Sequence, residues 1–96
     1  MPVNVSQHPL VAHKLAILRD KRTEPKKFRE LVRELTWLLG YEAMADLATA
    51  PEEIETPLEP MTAARLEPRV GLIPILRAGL GMVDAMLELL PTAEVW

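Results

Sequence analysis

The apolar positions in the first half of the chain repeat every three to four residues, which is the spacing of amphipathic helices. The first predicted helix begins near Pro9 and ends at residues 21–23, with Val11, Leu15 and Leu18 on one face. Proline suits a first helical turn because its missing N–H would find no partner there anyway. The pattern therefore predicts a helix that buries one face.

A second helix is predicted from Pro25 onward. Its apolar face comprises Phe28, Leu31, Val32, Leu35, Leu38, Leu39, Ala43 and Leu47. Gly40 interrupts this pattern at a cost of roughly 1 kcal/mol relative to alanine, so it marks a kink or a close helix crossing. The two helices together form a predicted N-terminal helical arm over residues 1–48.

The pattern changes over residues 49–68, which carry prolines at positions 51, 57, 60 and 68. These prolines exclude a long helix. We expect an irregular connector here, with a short edge strand at 53–56, because a following proline is tolerated at a sheet edge.

Residues 69–96 have the pattern of a strand, a tight loop and a helix. The strand, predicted over 69–75, lacks polar alternation, which is typical of parallel strands covered on both faces. The helix is predicted from Leu80 to Leu90 and is stopped by Pro91. Glu94 then opens a second strand, so the pattern predicts an incomplete βαβ unit and an α/β fold. Because the chain ends inside that strand, we expect it to be the front part of a longer protein.

The amino-acid composition of the chain excludes several classes of function. The 96 residues are 49% hydrophobic and 26% charged, with a net charge of -3 and no cysteine. A chain of this kind is globular, lacks the basic footprint of a nucleic-acid-binding domain, and forms neither disulfides nor thiolate metal sites. We therefore expect one incomplete domain with a cytoplasmic location.

The loop Leu76–Gly81, called here the Arg77 loop, is the candidate site. It follows a strand at its carboxyl end, where ligands bind in open α/β sheets. It combines one permanent cation with backbone N–H groups beside a helix N-terminus, an arrangement that favours phosphates. A guanidinium can also bind such an anion through two parallel hydrogen bonds.

The sequence gives weaker support for other kinds of functional site. In a dinucleotide fingerprint that starts at Gly79 and Gly81, the third glycine would fall on Asp84, which would repel a diphosphate. His8 and His13 lack metal-ligand spacing. Asp84 and Glu88 fit a solvated helix face better than an acid–base pair. Two alternatives stay open, namely another nucleotide-binding α/β enzyme and a non-catalytic helical interaction or oligomerisation module.

Four blocks of this sequence resemble the uracil phosphoribosyltransferase family. The longest is residues 74–82, PILRAGLGM, which is similar to that family's diphosphate loop. The others are HPLV with HKL near the N-terminus, FREL at 28–31 and YEA at 41–43. Their order and spacing agree with the family over nearly the whole chain.

The resemblance implies a type I phosphoribosyltransferase fold, a mostly parallel α/β sheet flanked by the N-terminal helices. It implies that uracil and 5-phosphoribosyl 1-diphosphate give UMP and diphosphate, with Mg²⁺ carried by the sugar diphosphate. It also implies homo-oligomers formed through the N-terminal helices, and a GTP effector as in some bacterial members. We assign no residue to GTP.

The resemblance further implies that Arg77 contacts the diphosphate and that the backbone of Ala78 and Gly79 faces the same group. It implies a non-proline cis peptide at Leu76–Arg77 or Arg77–Ala78. The family's phosphate-cradling loop, of the form D-P-M-L-A-T-G-G, and its uracil-binding loop are absent from these 96 residues. We therefore expect the chain alone to be inactive.

Overall fold

Two helices come first along the chain, a pair of strands follows, and a strand–helix–strand unit comes last. The computed structural model describes residues 3–77 and 79–96. Its helices are α1 (Pro9–Arg19), α2 (Pro25–Ala43) and α3 (Leu80–Leu89), and its strands are β1 (Thr49–Glu55), β2 (Pro60–Leu66), β3 (Gly71–Leu72) and β4 (Glu94–Val95). Within these residues, none of the helices has the length and apolar character that a membrane span requires.

Helix α1 starts at Pro9, as predicted, and a side chain caps it. His8 precedes the helix, and its Nδ1 accepts a hydrogen bond from the Leu10 N–H at 3.1 Å. Such a cap satisfies one of the N–H groups that a first turn leaves without a partner. His8 therefore has a structural role that its spacing from His13 did not reveal.

Helix α2 buries only part of its predicted apolar face. Leu31 is completely buried and Leu35 nearly so, whereas Phe28 and Leu39 are almost half exposed. The helix ends at Ala43, so Leu47 lies beyond it. Among the described elements, α2 packs mainly on α1 and α3, and these two helices leave the rest of its apolar face uncovered.

The predicted irregular connector is largely an antiparallel β-hairpin, so the expectation of irregular chain was wrong, whereas the edge strand predicted at 53–56 lies within β1 as far as Glu55. Strands β1 and β2 pair in register from Thr49 opposite Leu66 to Glu55 opposite Pro60. Thr56 stabilises the turn, because its Oγ1 accepts the N–H of Glu59 at 3.0 Å. Both strands of a two-stranded sheet are edges, so their prolines need not break it. Since both faces are largely exposed, no apolar alternation marked the strands.

The predicted parallel pairing of the last two strands is confirmed, but the first of them is shorter and more exposed than predicted. Gly71 lies opposite Glu94, and Leu72 lies opposite Val95. Ile73 is 73% exposed and Ile75 is 83% exposed, so the expectation of a buried strand over 69–75 was wrong. A strand extends only as far as its partner, and β4 offers two residues.

Helix α3 lies closely against α2, and Gly40 permits this approach. A Cβ added to Gly40 would lie 2.5 Å from the Sδ of Met86, so a side chain there would displace Met86. Ala85, next to Met86 in the chain, is completely buried. The prediction of a close helix crossing at Gly40 is confirmed.

Candidate functional site

The Arg77 loop connects the end of β3 to the start of α3, as the strand–loop–helix pattern predicted. Its last two residues, Leu80 and Gly81, already belong to the helix. The Leu76–Arg77 peptide bond is cis, which is one of the two expected positions. Ala78 lies outside the described residues, so its predicted role stays a prediction.

Several backbone amides in the loop and in the residues that flank it already have acceptors within the same segment. The Gly79 N–H donates to the Ile75 carbonyl at 2.8 Å, and the Leu80 N–H donates to the Arg77 carbonyl at 3.1 Å. The N–H groups of Met82 and Val83 both donate to the Gly79 carbonyl at 3.2 Å. These hydrogen bonds attach the loop to the first turn of α3, and they occupy donors that an anion would otherwise use.

Two loop amides lack such a partner. Within residues 3–77 and 79–96, the N–H groups of Leu76 and Arg77 donate to no protein acceptor. Backbone N–H groups are strong donors that require a partner in the protein or the solvent. The loop can therefore offer two adjacent backbone donors to an anion, on the same segment that carries the Arg77 guanidinium.

Gly79 is required by the space around it and not by its dihedral angles. Its φ of -79° and ψ of -7° suit any residue. A Cβ at this position would, however, lie 2.9 Å from the Ile75 carbonyl oxygen and 3.0 Å from the Ile75 nitrogen. Because both atoms are backbone, the loop would have to move to admit a side chain. Gly81 differs, since nothing lies within 4 Å of its added Cβ.

The Arg77 side chain is exposed at the surface of the loop. Its guanidinium makes no ion pair with the described part of the chain, whereas the guanidinium groups of Arg22, Arg33, Arg65 and Arg69 each lie beside a carboxylate. An arginine without a carboxylate partner keeps its full capacity to bind an anionic ligand. Among the predicted site residues, the structure therefore places Arg77 and Gly79 in one tight turn.

An open apolar groove of about 430 Å³ lies beside the loop. It is lined by Leu72, Ile73, Pro74, Ile75, Gly79, Met82, Val83 and Met86. A surface without charged side chains does not attract phosphate, so the predicted anion site lies at the Arg77 guanidinium and at the Leu76 and Arg77 amides, which have no acceptor among the described residues.

The carboxylates of α3 do not form an acid–base pair. Glu88 is bound by Arg33 of α2, with 2.5 Å between Nη2 and Oε1. This hydrogen bond, together with the charges of Glu88 and Asp84, raises the pKa of Arg33 above its ordinary value. No cluster of three His, Asp or Glu side chains suited to a metal ion occurs in the part of the chain that the structure describes.

Arg33 and Trp37 are the residues near the site that sequence reasoning missed. The pattern placed Arg33 on the solvated side of α2, and Trp37 lies one position before the apolar residue Leu38. Both side chains in fact contact α3. A tryptophan at the border of an apolar face was the only available signal, because the partners lie about fifty residues further along the chain.

Comparison with known proteins agrees with the sequence resemblance. A family model described as uracil phosphoribosyltransferase matches residues 5–96. A uracil phosphoribosyltransferase of Roseiflexus sp. (strain RS-1) is 62% identical over 94 residues, which are 98% of this chain and 45% of that protein. The Streptomyces griseus protein of the same name is 57% identical over 96 residues, covering 99% of this chain and 46% of its own length.

A solved structure has the same arrangement of elements. The AQ2163 protein of Aquifex aeolicus superposes with a TM-score of 0.88 at 34% sequence identity, covering 99% of this chain and 46% of that one. The chain thus spans about half the length of the curated relatives that it matches.

Proposed function

The chain belongs to the uracil phosphoribosyltransferase family, and we propose that it is the N-terminal part of an enzyme of pyrimidine salvage. This enzyme transfers the phosphoribosyl group of 5-phosphoribosyl 1-diphosphate to uracil and releases UMP and diphosphate. The match of the family model to residues 5–96 carries this proposal.

We propose that the Arg77 loop binds the diphosphate that leaves. Bond breaking at C1 of the ribose concentrates negative charge on this group, and fixed donors that meet the growing charge lower the barrier. The Arg77 guanidinium supplies a permanent cation, and the amides of Leu76 and Arg77 supply neutral donors. Gly79 contributes by having no side chain, which allows the close turn, and Ala78 completes the proposed site.

Mg²⁺ enters this proposal with the substrate. Mg²⁺ is commonly bound by substrate phosphates with few protein ligands, which is consistent with the lack of a cluster of ligating side chains among the described residues. The ion would neutralise part of the diphosphate charge, while Arg77 would orient the same group. None of the described carboxylates is assigned to the ion.

Three further properties follow from the family resemblance and belong to the same proposal. The enzyme is a cytoplasmic homo-oligomer that assembles through its N-terminal helices, and GTP acts as its effector. Apolar side chains that are almost half exposed on α2, such as Phe28 and Leu39, support assembly through the N-terminal helices. Size-exclusion chromatography with light scattering tests the assembly, and kinetics with and without GTP test the effector.

The chain alone is proposed to be inactive, because it carries the diphosphate side of the site without the cradle for the 5-phosphate or the loop for uracil. Activity therefore requires the full-length protein. An assay of the 96-residue chain with both substrates would contradict this proposal if it yielded UMP.

Substitution of Arg77 in the full-length protein tests the site. Arg77→Ala should raise the KM for 5-phosphoribosyl 1-diphosphate and lower kcat/KM by roughly 10- to 150-fold, since losing a charge-assisted hydrogen bond is worth about 1.5–3 kcal/mol. Arg77→Lys should recover only part of the loss, because an ammonium cannot replace the planar fork of the guanidinium.

Arg69→Ala is the matched control. Arg69 also lies on the segment around β3, is exposed, and has its nearest carboxylate contact at 3.7 Å from Glu94. Arg69 precedes β3, whereas Arg77 follows it. The two substitutions therefore remove the same charge from opposite ends of this strand. Equal kinetic losses in the two variants would show a general charge effect and would contradict the assignment of Arg77.

A further inference from the structure

A connected group of side chains joins α2 to α3 behind the Arg77 loop. The Arg33 guanidinium lies 2.5 Å from Glu88 Oε1, and its central carbon lies 5.1 Å from the centroid of the Trp37 ring. The Trp37 Nε1–H donates to the carbonyl oxygen of Ala85 at 3.0 Å. Two residues of α2 thus hold two residues of α3 through an ion pair and a hydrogen bond, and a cation–π contact joins the two α2 side chains to each other.

The spacing of these residues makes the contact directional. Arg33 and Trp37 are four residues apart on α2, and Ala85 and Glu88 are three apart on α3, so each pair shares one helix face. The flat guanidinium lies against the flat indole, while the indole N–H is directed at a backbone carbonyl. This geometry sets both the rotation of α3 about its axis and its position along α2.

Helix α3 passes this position on to the loop. Ala85 lies six residues after Gly79, which corresponds to about 9 Å of helix at 1.5 Å per residue. Because the Gly79 carbonyl accepts the N–H groups of Met82 and Val83, the end of the loop moves with the first turn of α3. A shift of the helix at Ala85 therefore displaces the end of the loop.

We propose that Arg33 and Trp37 are positioning residues that set the Arg77 loop at the correct distance from the sugar diphosphate. This inference rests on the proposed function. Among the described residues, neither side chain makes a hydrogen bond or an ion pair with the loop, and their polar partners lie on α3, so we infer that both act through this helix. Isolated, partly exposed ion pairs add little to stability, and the Arg33 and Glu88 side chains are both partly exposed. The role of the contact is therefore the orientation of α3.

The test uses steady-state kinetics of the full-length protein with each substrate varied in turn. Arg33→Met removes the ion pair and the cation–π contact, and Trp37→Phe keeps an aromatic ring but removes the N–H donor. Both should raise the KM for 5-phosphoribosyl 1-diphosphate on the order of tenfold, because small errors in placement are costly in catalysis. The KM for uracil should change less than twofold.

Two comparison variants separate positioning from a loss of stability. Arg33→Lys retains a cation beside Glu88 but not the planar guanidinium, so its KM should rise clearly less than that of Arg33→Met. Lys14→Met breaks a similar pair between α1 and α2, in which Lys14 Nζ lies 3.0 Å from Glu34 Oε2, without touching α3. It should leave both KM values unchanged, even if its denaturation midpoint falls as far as that of Arg33→Met.

The outcomes are distinct. An unchanged KM in Arg33→Met and Trp37→Phe, an equal rise in Lys14→Met, or a rise in Arg33→Lys as large as that in Arg33→Met would each overturn the inference while the proposed function stands. A wild-type protein without transferase activity would overturn the proposed function, and the inference with it.

Discussion

The contact between α2 and α3 and the segment that runs from β3 into the Arg77 loop both contain apolar side chains but place them in opposite environments. In the first, Leu31 and Ala85 are completely buried, and the Trp37 N–H has a partner. In the second, Ile73 and Ile75 remain mostly in solvent. Apolar side chains in two parts of one chain thus differ in whether a partner surface covers them.

This difference separates apolar surfaces that have a packing partner among the described residues from those that do not. The helices find their complement in each other, because α2 supplies the apolar face that α3 needs. Strand β3 has only β4 beside it, and a parallel strand normally requires cover on both faces. The segment that carries the proposed site therefore has less support from packing than the contact between α2 and α3.

The largest expected effect concerns the buried side of this comparison. Leu31→Ala in the full-length protein should lower the free energy of unfolding by about 2–5 kcal/mol, because it opens a cavity at a completely buried position. Leu39→Ala on the same helix removes the same atoms from a position that is almost half exposed, and should cost clearly less. Urea denaturation measures both, and equal losses would remove the distinction between the two faces of α2.

The second prediction compares two glycines of the Arg77 loop. Gly79→Ala should destabilise the full-length protein by about 1–3 kcal/mol, the usual range for overpacking, because the new Cβ meets the backbone of Ile75. Gly81→Ala should stabilise by about 0.5–1 kcal/mol, since the position is open and helical. Thermal unfolding provides the measurement, and a loss of stability at Gly81 as large as that at Gly79 would contradict the geometry described for the turn.

The third prediction addresses the exposed side. Apolar side chains that form a contiguous patch promote association, whereas scattered ones do not. In the 96-residue chain, Ile73→Ser and Ile75→Ser should therefore reduce self-association, as measured by sedimentation velocity. Leu58→Ser is the control, because Leu58 is 95% exposed but isolated at the tip of the hairpin. An equal reduction in all three variants would show that exposure alone drives the association.

The smallest expected effect lies at the end of α1, where an exposed ion pair can be compared with the buried contacts. Asp20 accepts hydrogen bonds from the side chain and the backbone N–H of Arg22, which lower the pKa of the carboxyl. Because its pKa is lowered in the folded state, this carboxyl stabilises the protein at pH values above 3.8, which is its ordinary pKa. That contribution disappears as the pH falls through the lowered pKa.

Asp20→Asn should therefore reduce the Tm slightly at pH 7, and the difference from the wild type should vanish at strongly acidic pH. Asp46→Asn is a control, because Asp46 makes no ion pair with residues 3–77 or 79–96. Thermal scans across this pH range provide the measurement. A difference that persists unchanged in acid would show that the ion pair does not cause it.

Local sequence was sufficient for the starts of the helices and for the order of strand, loop, helix and strand over residues 69–96. Proline at the first turn predicted the starts of α1 and α2, and Pro91 predicted the end of α3, because the constraints of proline act within a few residues. The parallel strand pair was also predictable, since a short βαβ connection leaves few topologies. The Arg77 loop was identified for the same reason, as its cation, its glycines and the following helix are contiguous.

The β-hairpin, the exposure of β3 and the contacts of Arg33 and Trp37 were decided only by the tertiary structure. The hairpin has no buried face, so it lacks the alternation by which strands are recognised. Burial of Ile75 depends on a covering surface, and no local pattern shows whether one is present. Arg33 reads as a solvated residue until α3 brings Glu88 beside it, because a contact between residues more than fifty positions apart is a property of packing. The sequence by itself was sufficient to predict an anion site at the Arg77 loop, and only the tertiary structure revealed the side chains that we propose to hold this loop in position, because their contacts join distant parts of the chain.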